Sequence, residues 1–197
     1  MYGIYENGRV IARFTAPLSL FSNTPVFASD TLSLSRRVSK RSAQRWEVAA
    51  GVEPLVEDAN DLFVNLVTKG ISDIVTITVP QNYGVIKKRS HSSGQTATGS
   101  LGASQVIIAN SLGFMPKGTM IKFANHSKIY MTTSDLTDNG AVNIFPILRL
   151  AVPAGTIVSS HDTVIMNCTY DMDTISGMQY RDGILMDIGV AKFVEAI

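Results

Sequence analysis

Three histidines, one cysteine and a few close-set acids are the residues that could do chemistry in this chain. His91, His126 and His161 stand far apart, with no cysteine or second histidine at ligand spacing, so a zinc site would have to be assembled entirely by folding. Asp171-Met172-Asp173 starts like a calcium loop, but Thr174-Ile175-Ser176-Gly177 follows and the next acid is Asp182. Such a loop needs further acids, a central glycine and a closing glutamate, so a turn after a strand is the plainer reading. Gly94 and Gly99 have the glycine spacing of a phosphate loop, yet Ser100-Leu101 stands where lysine and a hydroxyl residue are required. Cys168 lies in a β-prone run, where a buried inert thiol is expected. No nucleophile elbow occurs, and no pair of carboxylates is singled out by spacing. The expectation is a non-enzyme with no cofactor and no metal.

Charge supplies the sharper feature. Arg36, Arg37, Lys40, Arg41 and Arg45 place five of the 17 positive residues within ten positions. They could contact an anion, an acidic partner surface or a neighbouring subunit, or they could form a solvated face. No aromatic residues are interleaved among them for base stacking. Against 17 Lys+Arg the chain has 16 Asp+Glu, a net charge of +1, which argues against a highly basic nucleic-acid binder. Glu53, Glu57, Asp58 and Asp61 form the opposite run. Separation of sign along the chain, more than its total, points toward an interface.

The elements that must position these residues belong to a chain of 197 residues, 45% hydrophobic and 17% charged. That length suits one domain, or one domain carrying an insertion, and can bury a core without staples. A lone cysteine excludes an internal disulfide. Met1 to Ala16 lacks the basic start and unbroken apolar stretch of a secretion signal. No run reaches the roughly 18 to 20 apolar residues that span a bilayer. Folding in a cytoplasm, without a membrane anchor, is expected.

Most of the chain reads as short strands between turns. Asn7-Gly8 is a hairpin dipeptide. Residues 17–35, rich in Ser, Thr, Pro and Leu, read as irregular connection or edge structure. Gln44 to Ala50 partly alternates, with Trp46 and Val48 in register on a core-facing side. A helix is predicted over 54–69, with Pro54 in its first turn, Gly70 as its cap, and Leu55, Ala59, Leu62, Phe63, Leu66 and Val67 on its apolar face. Trp46, Leu55, Leu62, Phe63 and Leu66 are therefore the candidate core. A strand ending at Pro80 follows. From Lys87 the composition changes, and 90–104 reads as a linker or exposed loop rich in Ser, Thr, Gly and Gln. Beyond it, Gln105–Ala109, Thr119–Ala124, Lys128–Thr133, Ala141–Ile147, Leu150–Val152 and Thr163–Tyr170 are strands, with turns at Pro116-Lys117-Gly118, Asp138-Asn139-Gly140 and Pro153-Ala154-Gly155. Their regular spacing predicts a small barrel or sandwich. One or two more strands fall between Gly183 and Val194.

The order of these pieces resembles the distal tail protein of long-tailed bacteriophages. Arg45-Trp46-Glu47-Val48, Glu53-Pro54-Leu55, Phe63-Val64-Asn65-Leu66 and Lys69-Gly70 look like that family's aromatic strand, acidic helix and following glycine. Ile74 to Pro80 resembles the strand closing the first half of its ring domain. Pro116-Lys117-Gly118-Thr119-Met120-Ile121-Lys122-Phe123 and His126-Ser127-Lys128-Ile129-Tyr130 are similar to the inserted barrel of some members. The likeness runs from Arg45 to Ile197. It implies a mainly β fold: a β-sandwich ring domain with one helix from residues 1–86 and 169–197, and an inserted OB-like barrel from 87–168. It also implies a virion protein at the distal end of the tail. A homo-oligomeric ring, a hexamer, would join the tail tube to the hub, tip or baseplate, pass the genome without specific binding, and anchor fibre or collar parts. Alternatives are another tail ring or baseplate wedge component, or a carbohydrate-binding module using Tyr83, Tyr130 or Tyr180 as its platform.

Overall fold

The computed structural model describes residues 2–30, 36–40, 43–69, 73–90, 94–160, 164–171, 179–181 and 184–197. The chain is mainly β, with two closed six-stranded barrels and, among the described residues, two α-helices. Gly70, His91, His161, Arg41 and Met172–Gly177 lie outside the described residues.

The chain starts with β1 (Gly3–Glu6) and β2 (Arg9–Asn23), joined at Asn7-Gly8. Both turn residues have positive φ, 48° and 85°, the conformation a two-residue hairpin requires. Hairpin β3 (Val26–Asp30) and β4 (Arg36–Lys40) follows, pairing only with itself among the sheets. Residues 17–35, expected to be irregular connection or edge structure, contain over their described part, 17–30, the second half of a long strand and one arm of this hairpin. The Ser, Thr and Pro content hides them because a register shift between Thr15 and Ser19 interrupts the alternation.

Next comes β5 (Arg45–Pro54), which buries Trp46, Val48, Ala50 and Val52 on one face. Pro54 is the last residue of this strand, paired with Ala12, rather than the first turn of a helix. A short 3-10 turn at Val56–Asp58 leads into α1 (Ala59–Lys69). Then β6 (Val75–Thr78) and a second helix, α2 (Tyr83–Lys88), enter the insert. Six residues are too few to show a helical period, so α2 was not legible. The Asn82 side chain caps it, accepting from the Gly84 N–H at 2.8 Å.

The second barrel is built from β7 (Thr96–Gly99), β8 (Gln105–Ala109), β10 (Met120–Phe123), β11 (Ile129–Thr132), β13 (Gly140–Phe145) and β14 (Val152–Ser159). A side ribbon pairs β9 (Phe114–Met115) with β12 (Leu136–Thr137). The strands close in the order β10-β11-β13-β8-β7-β14 around Val106, Ile108, Ile121, Phe123, Tyr130 and Val142. β7 falls inside the segment expected to be a linker. Its inward residue Ala97 is small, and Gly99 is forced by space: a Cβ there would lie 2.6 Å from Leu148 Cδ1. Pro153-Ala154-Gly155, expected as a turn, is a bulged stretch of β14, with Gly155 at φ 84°.

The chain then returns to the first barrel with β15 (Ile165–Asp171), followed by the ribbon β16 (Gln179–Arg181) and β17 (Ile184–Asp187), and by β18 (Val190–Glu195). The first sheet runs β1-β2-β5-β18-β15-β6 and closes where β6 pairs with β1. The expected sandwich faces are therefore joined around one core. Ile165 to Cys168, expected within the insert, pair with β6, so the second barrel ends before β15.

Helix α1 is rotated from the predicted face. Leu62 and Leu66 are buried, Leu55 is half-buried, and Phe63 is 40% exposed. The cause is Asn65. It points inward, donating to Glu6 at 3.0 Å and accepting from the Tyr170 hydroxyl at 3.1 Å. With Asn65 inside, Phe63 and Val67 face outward.

Candidate functional site

None of the chemically suggestive residues forms a reactive site among those described. The Cys168 thiol is fully buried and donates to the Val75 carbonyl at 3.3 Å. Burial pushes its pKa far up, so it remains protonated and unreactive. His126 sits in the β10–β11 turn, and its ring packs between Phe123 and Tyr130, at centroid distances of 5.6 and 5.5 Å. Both ring nitrogens are buried without a hydrogen-bond partner. Burial and the Lys122 charge hold His126 below the ordinary histidine value, so it packs as a neutral ring. No group of three His, Cys, Asp or Glu gathers among the described residues.

The most elaborate polar site joins the barrels. Lys128, immediately before the second barrel's β11, and Glu195, at the end of β18, form an ion pair with side chains 1% and 0% exposed. Glu195 also accepts the Ile129 N–H at 2.8 Å and the Trp46 N–H at 2.9 Å. The Trp46 indole N–H donates to the Ile129 carbonyl at 2.9 Å, and its ring meets Phe145 edge-on. One carboxylate thus takes donors from both barrels, which is how a buried charge is made tolerable. Burial pushes the Lys128 ammonium below the ordinary lysine value, opposed by the Glu195 carboxylate. Lys122 extends the junction, its ammonium donating to the Ile165 carbonyl at 2.9 Å. Gln81 adds a two-way bond with the Met120 backbone, at 3.2 and 3.1 Å. Met120 and Ile129 pack in the first barrel's core although their strands belong to the second.

Sequence reasoning missed Lys128, Glu195 and Gln81. For Glu195 a signal existed: it is in phase with Ala191 and Phe193, the buried side of β18. Beside the junction opens a pocket of about 360 Å3, lined by His126, Ser127, Lys128, Arg149, Leu150 and Ile197. His126 and Ser127 both line it, but neither ring nitrogen of His126 has a hydrogen-bond partner, so the imidazole does not engage the Ser127 hydroxyl.

Of the basic run, Arg41 lies outside the described residues. Arg36, Arg37 and Lys40 lie on β4, where Arg36 is in register with Asp30 and Lys40 with Val26. Arg45 begins β5 and pairs with Glu47 at 3.4 Å. The acidic run is met elsewhere in the chain. Arg9 holds Asp58 and Asp61 at 2.6 and 2.8 Å, and Arg13 holds Glu53 at 2.8 Å. Arg9 and Arg13 reach these acids because β2 runs beside β5 and under α1. Compared with known proteins, the chain matches no family model and no curated protein.

Proposed function

We propose that the chain is a structural subunit of a bacteriophage tail. Copies assemble into a closed ring of six that joins the tail tube to the tip or baseplate and carries peripheral fibre or collar parts. The observation that carries the reading is the insertion itself. A complete barrel is inserted into the first domain between β6 and β15; the likeness to distal tail proteins implies an inserted barrel at this place, though in a β-sandwich. The junction at Lys128 and Glu195 supports it, because it fastens the insert to the ring-forming part through buried contacts. Such a role needs surfaces rather than catalysis, and no catalytic residue, cofactor or metal is invoked.

The test is the state of assembly. Light scattering and electron microscopy of the purified chain should give closed rings with a central channel. A single-copy species at every concentration, also beside tail-tube protein, overturns the reading. Labelled protein found at the head-proximal end of tails would make it another tail ring instead. The carbohydrate alternative loses one platform, since Tyr130 is buried; Tyr83 and Tyr180 remain exposed. Binding on a glycan array would revive it.

A further inference from the structure

The two barrels meet along the β10–β11 hairpin, and the first barrel finishes that hairpin's hydrogen bonding. Within the second barrel, β14 is in register with β10 at Lys122 and Phe123, and β13 with β11 at Met131 and Thr132. Neither neighbour reaches Met120 or Ile129. At Met120 the Gln81 carboxamide takes the place of a neighbouring strand, accepting the N–H at 3.1 Å and donating to the carbonyl at 3.2 Å. At Ile129 two side chains share the place: Glu195 accepts the N–H, and the Trp46 indole donates to the carbonyl. These groups come from three places around the first barrel, just after β6, on β18 and on β5. Gln81 is itself tied down, its N–H donating to the Tyr2 hydroxyl at 3.0 Å beside β1.

Holding the barrels together does not require such groups. Apolar burial is non-directional, and Met120 and Ile129 already pack into the first core. A buried ion pair is a weak source of stability, because desolvation offsets much of its attraction. What the polar groups add is geometry, since a hydrogen bond weakens steeply once its angle falls below about 120°. Lys128, Glu195, Gln81 and Trp46 are all buried, so water does not replace a partner that moves away. Turning the insert would leave these donors and acceptors buried and unmade. The grip is on β10 at Met120 and on β11 at Ile129, which opposes rotation about either strand. Lys122, donating to the Ile165 carbonyl on β15, adds a further point.

We propose that this polar junction is an orientation key. It holds the insert at one angle to the first barrel, while apolar packing supplies the adhesion. Relative motion is the default for two units of one chain unless their interface is large and hydrophobic. Here direction takes the place of area, because a fully satisfied buried polar network specifies one arrangement. The insert is therefore not a swinging module, and whatever docks on it is presented at a fixed position relative to the first barrel. The key acts within a single copy, so it goes beyond the tail reading and does not depend on it.

The test uses the full chain, whose one cysteine is buried. Val67→Cys on α1 and Ile107→Cys on β8, both more than half exposed in the parent, carry spin labels for distance measurement by electron paramagnetic resonance. Labelled chain is diluted with excess unlabelled chain, so that only distances within one copy are read. The parent should give one narrow distribution. Lys128→Met with Glu195→Leu should remain folded by circular dichroism yet give a broader distribution or a second maximum. Gln81→Leu, which keeps the ion pair, should do the same, and serves where the charge-pair variant does not fold. Spectra of the single labels should not change, which separates movement of the insert from movement of a label. A broad distribution in the parent overturns the proposal, because the insert then swings despite its bonds. A distribution that stays narrow and unshifted in every variant that folds overturns it as well, because apolar packing alone then sets the angle.

Discussion

The two barrels differ in how they are held and in what they show to solvent. The first is assembled from both ends of the chain, with β1, β2, β5 and β6 from one side and β15 and β18 from the other. Its exterior is laced with ion pairs: Arg9 with Asp58 and Asp61, Arg13 with Glu53, Lys69 with Glu6, and Lys192 with Glu47 and Asp171. The second is one continuous stretch from Thr96 to Ser159, and four of its six strands have no charge. The first barrel thus depends on distant segments meeting and on charges, while the second depends on nearer strands and apolar packing. Only at the junction does the contrast reverse, where a fully buried ion pair binds them.

Breaking that junction should have the largest effect on both. Glu195→Ala leaves Lys128 buried without its carboxylate and two backbone donors without their acceptor, and should cost about 3–5 kcal/mol in urea unfolding. Replacing both partners, Lys128→Met with Glu195→Leu, should recover much of the loss. Next, Leu62→Ala should destabilise by about 2–5 kcal/mol, whereas Phe63→Ala should stay within about 0.5 kcal/mol. Equal losses would show that α1 does not have the rotation described here.

Acid should separate the barrels. Burial would raise the Glu6 carboxyl, but bonds from Lys69 and Asn65 and the Lys69 charge outweigh it, leaving Glu6 below the ordinary 4.5. Glu47 is likewise raised by burial but lowered further by Asn23, Lys192 and Arg45. A carboxyl lowered in the folded state contributes stability above its unfolded value and loses it as pH falls through the folded one. Urea midpoints should therefore fall below pH 4.5, and hydrogen exchange should rise first in β1, β5 and β18, before β8 and β13. The smallest effect is expected from Arg36→Glu, Arg37→Glu and Arg41→Glu together. Melting should remain unchanged, and altered assembly would make β4 part of an interface.

How much was legible depends on how local the cause was. The Asn7-Gly8 turn, the alternation of β5 and strands β8, β10 and β11 follow from residue types a few positions apart. The face of α1 did not follow, because Asn65 points inward for the sake of Glu6 and Tyr170, far away in sequence. Strand β7 was hidden because its inward positions are Ala97 and Gly99, chosen for lack of space rather than for hydrophobicity. The acidic run could not be matched to Arg9 and Arg13 before β2 was known to lie against β5 and α1.

By itself the sequence determined the mainly β class, the Asn7-Gly8 turn, the helical segment ending at Lys69 and the absence of charge from β7, β8, β13 and β14. These are properties of short windows, in which side-chain period and backbone preference act directly. Only the tertiary structure decided the closure of both sheets, the return to the first barrel at β15, the rotation of α1 and the pairing of Lys128 with Glu195. Each of those depends on which distant groups become neighbours, because a buried polar atom takes whichever partner the fold brings within hydrogen-bond reach.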